Sequence, residues 1–309
     1  MPEIVAITGA TGFIGRAIVR HLHEAGYPLR ALVRSDASRR LLQGQVEEFI
    51  AGDLSDLGAL EQLASGASAV VHCAGVVRGV TQADFDRVNV EGVRRLVTVL
   101  RQPGRPTRLL SLSSLAAREP QLSFYALSKR RGEQVLEQEG EGLQWLALRP
   151  PAVYGPGDRE LVPLLRLMAR GLAPVPGRRE ARFSMLYVED LARLVHAWLR
   201  RDAVDSGLYS LHDGRAGGYS WAEVAAIVEG ICGRRVRLLP LPATLLSLLA
   251  RANRRFAPLL GRAPMLTPEK LRELRHPDWV CDNEAIGRVL DWSPRVGLEE
   301  GLRNTPGWR

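Results

Sequence analysis

A tyrosine and a lysine four residues apart are the first candidates for chemistry in this sequence. Tyr125 and Lys129 bracket the motif YALSK, and residues at this spacing share one face of a helix. A free phenol has a pKa of about 10, and a neighbouring ammonium is expected to lower it and make the phenol a usable acid/base. Only Lys129 and Lys270 are lysines among the 42 basic residues. A chance pair on a solvated helix is therefore the weaker alternative.

Three serines close a predicted strand shortly before this pair. They are Ser111, Ser113 and Ser114. A hydroxyl in this place could hydrogen-bond a substrate carbonyl, or the alkoxide that forms from it. We select Ser114 because it lies furthest along the chain, where the strand leaves the sheet. The alternative is that all three hydroxyls satisfy local backbone groups.

A glycine-rich turn near the N-terminus is expected to bind a dinucleotide. The stretch TGATGFIG of residues 8–15 lies between a predicted strand and a predicted helix. Such glycines permit a tight turn, a close approach of the backbone to a pyrophosphate and close packing of helix on strand. The helix N-terminus then favours an anion. The alternative is a generic strand–helix turn. The predicted cofactor contacts here are Gly9, Thr11, Gly12, Phe13, Ile14 and Gly15.

The residues after the next three predicted strands extend this site. NAD sites usually carry an acid after the second strand, whereas this chain has Arg34. Because a guanidinium pairs well with a 2′-phosphate, we expect NADP, with NAD as the alternative cofactor. The competing interpretation of Arg34 is a surface arginine in an arginine-rich protein. Asp53 and Leu54 follow the third strand, and Ala74 and Gly75 follow the fourth. For Asp53 the alternative role is to cap the next helix.

The elements that must hold these residues alternate between strand and helix in the first half. The predicted strands are 3–8, 28–33, 46–51, 69–72, 108–112 and 143–148, and the predicted helices include 13–25, 85–100 and 124–139. This alternation indicates βαβ units and a parallel sheet covered on both faces. Right-handed crossovers then give an α/β, doubly wound (Rossmann) fold.

The regular alternation ends after Pro150 and Pro151, where proline and glycine interrupt the chain. A strand at 183–188 and a helix at 189–200 follow, and the rest is mostly helical with proline-rich joints. We expect residues 1–155 to form the dinucleotide-binding domain, rejoined by about 183–200. Residues 156–309 are expected to form mainly a smaller, mostly helical substrate domain.

Taken together, the motifs resemble the extended short-chain dehydrogenase/reductases, also called the NAD-dependent epimerase/dehydratase family. The matching stretches are TGATGFIG (8–15), GDL (52–54), NVEG (89–92), SS (113–114), YALSK (125–129), RPPAVYGPGD (149–158), FSMLYVEDLAR (183–193) and LDWSP (290–294). The resemblance covers nearly the whole chain. It implies that Tyr125 is the general acid/base, Lys129 its partner and ribose ligand, and Ser114 the hydroxyl that orients the carbonyl.

The resemblance carries further implications. Asn89 matches the asparagine of the family, whose alternative role is to cap the helix that follows. The segment from Pro150 to Val153 matches the backbone that lies against the nicotinamide. Members of the family commonly form dimers, so a homodimer is expected through the helices predicted at 85–100 and 124–139.

Three departures from the family pattern narrow the chemistry. Family dehydratases follow the serine with an Asp–Glu pair, but Leu115 and Ala116 stand there. Sugar-nucleotide epimerases usually carry an asparagine and an arginine at the positions of Ala152 and Phe183. The interval between Ser114 and Tyr125 is also short. Both dehydratase chemistry and a nucleotide-sugar substrate are therefore disfavoured.

The C-terminal third resembles the hydroxysteroid-dehydrogenase and ketone-reductase branch, which takes apolar ketones or alcohols. The resemblance lies in the leucine-rich stretch 241–260 and in residues 261–268, GRAPMLTP. The leucines could line an apolar pocket or rest on a membrane surface, with Arg251, Arg254 and Arg255 toward lipid headgroups. An amphipathic helix that covers its own core is an equally good alternative.

Composition sets the outer limits. Of 309 residues, 46% are hydrophobic and 25% charged, and no apolar run approaches the roughly 20 residues of a membrane span. The N-terminus leads directly into a predicted strand, without a signal peptide. Three widely separated cysteines form no CxxC pair, so we expect a cytoplasmic protein without a metal site. The net charge is +8, but the arginines are scattered and no nucleic-acid-binding module accompanies them.

The sequence thus predicts an NADP-dependent oxidoreductase that moves a hydride between the nicotinamide and a ketone or secondary alcohol. The small-molecule substrate is expected to be apolar or lipid-like. One alternative is a nucleotide-sugar epimerase of the same family, which retains its cofactor through a cycle of oxidation and reduction. The other is a nucleotide-binding scaffold that has lost the chemistry, and the intact Tyr125–Lys129 pair argues against it.

Overall fold

A parallel sheet of seven strands forms the centre of the protein, in a computed structural model that describes residues 3–105, 108–256 and 266–309. The strands are β1 (Val5–Thr8), β2 (Leu29–Val33), β3 (Glu48–Ala51), β4 (Ala69–His72), β5 (Arg108–Leu112), β6 (Gln144–Arg149), β7 (Ala152–Tyr154), β8 (Leu172–Val175), β9 (Arg182–Phe183), β10 (Met185–Tyr187), β11 (Gly207–Ser210), β12 (Tyr219–Ser220), β13 (Arg237–Pro240) and β14 (Asp278–Trp279). The central sheet has the order β3-β2-β1-β4-β5-β6-β11, and every pair in it is parallel. The predicted doubly wound α/β fold is confirmed.

Helices cover both faces of this sheet. They are α1 (Phe13–Glu24), α2 (Asp36–Arg40), α3 (Leu57–Ala64), α4 (Gln82–Asn89), α5 (Glu91–Leu100), α6 (Phe124–Glu139), α7 (Val162–Ala169), α8 (Val188–Leu199), α9 (Trp221–Cys232), α10 (Ala243–Phe256), α11 (Pro268–Arg275), α12 (Glu284–Leu290) and α13 (Leu298–Arg303). On one face α1 packs against α8, with Ile18 and Leu22 buried between helix and sheet. On the other face α3, α5 and α6 bury Leu60, Leu96 and Leu136. Because both faces are covered, the central strands are apolar along their length.

The prediction of one helix at 85–100 is wrong. The structure has two helices there, α4 and α5, which are separated at Val90. The side chain of Asn89, the last residue of α4, accepts a hydrogen bond from the Val76 amide and donates one to the Val76 carbonyl, both at 2.9 Å. Asn89 thereby binds a loop that lies outside its own helix. A Cβ at Gly132 of α6 would collide with the Asn89 carbonyl, so α6 packs directly against the break.

The C-terminal half combines helices with small sheets. Among the described residues, β7 pairs with β10, β8 pairs with β13, and β9 lies between β12 and β14. A second core fills this half, with Tyr154, Val228 and Trp308 fully buried or nearly so. The helix predicted at 189–200 is α8, which returns to the central sheet, and β11 adds a seventh strand that the sequence did not predict. The division into two domains stays a prediction.

No helix within residues 3–105, 108–256 and 266–309 is long and apolar enough to cross a membrane.

Candidate active site

The turn between β1 and α1 is built for close contact with an anion. Gly9 has φ +70, and a Cβ there would collide with the backbone of Ala74, so glycine is needed for both reasons. A Cβ at Gly15 would collide with the Gly9 carbonyl. Gly12 precedes α1 without a side-chain cap, which leaves the first amides of the helix directed at a ligand. The turn thus has the backbone geometry expected of an anion-binding turn.

The other predicted cofactor residues follow successive strands at this same edge of the sheet. After β1 come Thr11, in the turn, and Phe13 and Ile14, at the start of α1. The residues after the next three strands are Arg34 (after β2), Asp53 and Leu54 (after β3), and Ala74 and Gly75 (after β4). Beyond β6 come Pro150, directly after the strand, and Val153, in β7. The carboxyl ends of parallel strands are where open α/β sheets bind ligands. The residues chosen from the sequence therefore lie along one edge of the sheet.

Asp53 and Arg34 lie beside each other at the far end of this edge. Asp53 accepts hydrogen bonds from the amide and hydroxyl of Ser55, at 2.7 and 2.6 Å. These bonds, with a smaller contribution from Arg34, lower the pKa of Asp53. Asp53 does not cap the next helix, since Asp56 performs that role for α3. Arg34 itself is exposed.

The contacts of Asn89 differ from those of a helix cap. Besides its two bonds to Val76, its side-chain nitrogen donates to Ser128 Oγ at 2.9 Å, and α5 begins without a side-chain cap. A Cβ on Gly75 would lie 3.2 Å from Asn89 Oδ1 and 3.1 Å from Lys129 Nζ. Asn89 therefore fixes the loop after β4 against α6, beside the lysine of the predicted catalytic pair.

The three serines in and directly after β5 have different surroundings. Ser113 donates to Glu133 at 2.6 Å, and Ser111 is buried. Ser114 caps the short 3₁₀ helix Leu115–Arg118, and a hydrogen bond with Ser114 acts to lower the pKa of Tyr125. Of the three hydroxyls, that of Ser114 is thus the one next to the phenol.

Lys129 was predicted to lower the pKa of Tyr125, but in the structure the pKa of Tyr125 is raised. Burial raises the pKa of Tyr125 to about 12, and the carboxylate of Glu273 adds to this increase. The hydrogen bond from Ser114 offsets only part of it. Lys129 makes no resolved contribution because its ammonium donates to the Leu112 carbonyl at 2.9 Å. The phenol therefore holds its proton at neutral pH.

Lys129 has a shifted pKa of its own. Burial lowers it to about 8, against the opposing effect of Glu133. Glu133 is itself buried and forms a two-point ion pair with Arg149, at 2.7 and 2.6 Å. Since a buried charge needs such partners, the ion pair with Arg149 holds Glu133 in place one helical turn from Lys129.

A small, open cleft lies beside Tyr125. One part of it is lined by Val77, Val80 and Phe85, and another part by α11. From α11, Lys270 places its ammonium 5.6 Å from the centre of the Tyr125 ring. Sequence reasoning missed Lys270 and Glu273, although the rarity of lysine that singled out Lys129 applies equally to Lys270.

The leucine-rich stretch 241–260 is described only in part. It contains α10, whose Leu245, Leu248 and Leu249 are 48%, 66% and 50% exposed, and α10 packs against α11. The expectations for residues 257–265, including most of the GRAPMLTP motif, lie outside the described residues. Within the described part, these three leucines face away from the core.

The fold and this site define a dinucleotide-binding oxidoreductase. The profile of the NAD dependent epimerase/dehydratase family matches residues 5–210. A ceramide reductase of Caulobacter vibrioides is 36% identical over 305 residues, covering 99% of this chain and 94% of the relative. The chain therefore belongs to the NAD dependent epimerase/dehydratase family, and the predicted family and enzyme class are confirmed.

Two further similarities show the breadth of this family. A 2-alkyl-3-oxoalkanoate reductase of Stenotrophomonas maltophilia is 28% identical over 327 residues, covering 97% of each chain. The solved structure of a UDP-glucose 4-epimerase from Thermotoga maritima has a TM-score of 0.73 and 21% identity, covering 98% of this chain and 97% of that chain. At this identity the second similarity concerns the fold alone.

Proposed function

We propose that the protein is an NADPH-dependent reductase that converts a ketone on a long-chain, uncharged lipid to the secondary alcohol. The observation that carries this proposal is the cleft beside Tyr125, where apolar side chains line one part and the Lys270–Glu273 ion pair lines another. The two reductases above act on a ceramide and on a 2-alkyl-3-oxoalkanoate. The first name supports an uncharged lipid as the substrate here, and the second supports reduction of a ketone on an alkyl chain.

Each residue of the site has a separate role in such a reduction. Bound NADPH would supply the hydride that adds to the carbonyl carbon. Tyr125 donates its phenolic proton to the carbonyl oxygen while Ser114 hydrogen-bonds that oxygen. Lys129 would hold the ribose of the bound cofactor, and a proton from water restores Tyr125. The raised pKa of Tyr125 keeps this proton in place at neutral pH, so the phenol is available as the proton donor.

Charge pairing around the cleft argues against a nucleotide-sugar substrate. In the described part of the chain, cations at or near the cleft are matched by carboxylates. These pairs are Arg78–Glu160, Arg254–Glu269 and Lys270–Glu273. A diphosphate is best bound by cations that are free to pair with it. The epimerase alternative is therefore the weaker proposal.

Arg34 is the basis for NADP as the cofactor. It is exposed at the end of β2 and lies close enough to Asp53 to influence its pKa. A 2′-phosphate there would pair with the guanidinium. We also retain as proposals the cytoplasmic location, the two-domain division at about residue 155 and the homodimer through α4, α5 and α6.

The exposed face of α10 offers a route for a lipid from a membrane. Leu245, Leu248 and Leu249 lie at helical spacing on that face, and Arg251 and Arg255 are exposed at its side. Leucines can enter the edge of a bilayer while arginines contact anionic headgroups. Because α10 packs on α11, such contact would bring lipid near the cleft.

Turnover of matched substrates tests this function. Purified protein with NADPH is offered a long-chain ketone bearing an amide on the adjacent carbon and the matching plain ketone, and the same protein with NAD⁺ or NADP⁺ is offered UDP-glucose. NADPH oxidation, with the alcohol identified by mass spectrometry, is expected for the ketones only. Interconversion of UDP-glucose with a sugar epimer, without net reduction of the cofactor, would support the epimerase instead. Binding of NADPH without turnover of any substrate would favour the scaffold.

A further inference from the structure

Lys270 lies in an unusual position relative to Tyr125. Its ammonium is 5.6 Å from the centre of the phenol ring and lines the same cleft. Its side chain is 42% exposed, so it reaches into the cleft without being enclosed. The two lysines of the chain thus both lie within the surroundings of one tyrosine, among basic residues that are otherwise all arginine.

A chain of hydrogen bonds fixes Lys270 in relation to Tyr125. Lys270 donates to Glu273 at 2.6 Å. The buried Glu273 also accepts a hydrogen bond from Ser123. Ser123 in turn caps α6 by accepting from the Ala126 amide at 3.0 Å. Since Tyr125 lies in the first turn of α6, α11 is held in register with the reacting group.

The pairing with Glu273 determines what Lys270 can bind. An ammonium has three donors, and Glu273 takes one and balances the charge. The remaining donors suit a single uncharged acceptor oxygen, since an arginine fork would suit a carboxylate or phosphate better. An anion would also meet the carboxylate of Glu273 at the same place.

We propose that Lys270 is a specificity-determining residue that hydrogen-bonds an uncharged acceptor oxygen in the substituent of the carbon next to the reacting carbonyl. The amide oxygen of an acylamino ketone is the chemistry it fits. Tyr125 then holds the reacting oxygen, Lys270 holds the neighbouring one, and the two contacts fix which ketone is reduced. This inference rests on the proposed ketone reduction.

Binding of three product analogues tests the role of Lys270 separately from turnover. The NADPH-loaded protein is titrated by calorimetry with an acetamido alcohol, the matching plain alcohol and the matching hydroxy acid, all of one chain length. Wild type is expected to bind the acetamido alcohol about 10- to 100-fold more tightly than the plain alcohol, the range of a hydrogen bond to a charged group. It should not prefer the hydroxy acid.

The variant Lys270→Met should remove this preference and leave the affinity for the plain alcohol within about twofold. Lys270→Arg keeps the charge and should retain part of the preference, which a merely structural loss would not allow. Arg275→Met removes an exposed cation from the same helix and serves as the control with wild-type ratios.

Three results would overturn the inference. They are a wild type that does not distinguish the acetamido from the plain alcohol, a preference that survives in Lys270→Met, and a preference for the hydroxy acid. Failure of ketone turnover with the binding preference intact would instead remove only the proposed reduction, so the two failures are distinguishable.

Discussion

At the scale of single residues, the protonation states of Tyr125 and Lys129 set the chemistry. A phenol with a pKa of about 12 remains protonated, and an ammonium with a pKa of about 8 is charged at neutral pH. The protein therefore holds a protonated phenol and, on the same helix, an ammonium that would bind the ribose of the cofactor. Reduction needs the protonated phenol, whereas oxidation would need the phenolate at the start.

The pKa of Lys129 gives a prediction for the pH dependence of reduction. A lysine whose pKa is lowered loses its charge as pH rises through the lowered value, so the charged, active form exists below about pH 8. The kcat/KM for NADPH should be flat from pH 6 to 7 and fall up to about tenfold per pH unit above 8. A profile that stays flat to pH 9.5 would contradict this role. The fall should persist in Lys270→Arg, which removes the other lysine.

A second prediction concerns the choice of cofactor by Arg34. Arg34→Ala should weaken NADPH binding about 10- to 100-fold, because charge-assisted hydrogen bonds to the 2′-phosphate are lost. NADH binding should change by less than about twofold. Fluorescence titration with NADPH and NADH measures both affinities. The control is Arg288→Ala, which removes another exposed arginine, on α12, and should leave both affinities unchanged. Equal affinities of the wild type for NADPH and NADH would remove the argument for NADP.

Residue types alone could not choose among the three serines in and directly after β5. Position along the strand favoured Ser114. The structure gives a physical reason for this choice, because the hydroxyl of Ser113 already donates to Glu133. The expected influence of Lys129 on the pKa of Tyr125 was wrong for a related reason. The lysine donates to the Leu112 carbonyl, and no spacing rule reveals which backbone group a long side chain will bind.

At the scale of elements, local patterns predicted the first half of the fold well. Strands β1, β2, β4 and β5 are short apolar runs between glycine-rich turns and helices, so their signal is contained in their own residues. Strand β11 was missed because its sequence GLYS has no such signal and pairs with β6 from far along the chain. The break between α4 and α5 depends on Val76, which is equally remote from any local pattern.

The exposed face of α10 leads to a third prediction. Replacing Leu245, Leu248 and Leu249 together with serine should reduce binding to anionic phospholipid vesicles more than tenfold, since each leucine loses apolar contact with the bilayer. Vesicle flotation measures the bound fraction. Leu41→Ser, at a leucine that is 60% exposed after α2, is the control and should bind as wild type does. Unchanged flotation of the triple variant would exclude α10 as the contact.

At the scale of the whole molecule, the site joins two parts of the chain that are distant in sequence. The central sheet supplies the dinucleotide turn and carries Tyr125 and Lys129 on α6. The C-terminal half supplies α11, whose Glu273 bonds Ser123 directly before the catalytic helix. Sequence motifs identified the first contribution, because the turn and the YALSK stretch are compact. They could not identify the second, since it depends on how α11 packs against the short 3₁₀ helix Pro120–Leu122 directly before α6 rather than on its own residues.

The most direct test of the account is the substitution Tyr125→Phe. It removes the phenolic proton and keeps the ring, so NADPH affinity should stay within about twofold while ketone reduction falls about 10²- to 10⁴-fold. Tyr27→Phe, at a partly buried tyrosine that packs on His196, should leave both quantities unchanged. Steady-state NADPH oxidation and fluorescence titration on the same preparations give the two numbers. Reduction near the wild-type rate in Tyr125→Phe would contradict the assignment of Tyr125 as the proton donor.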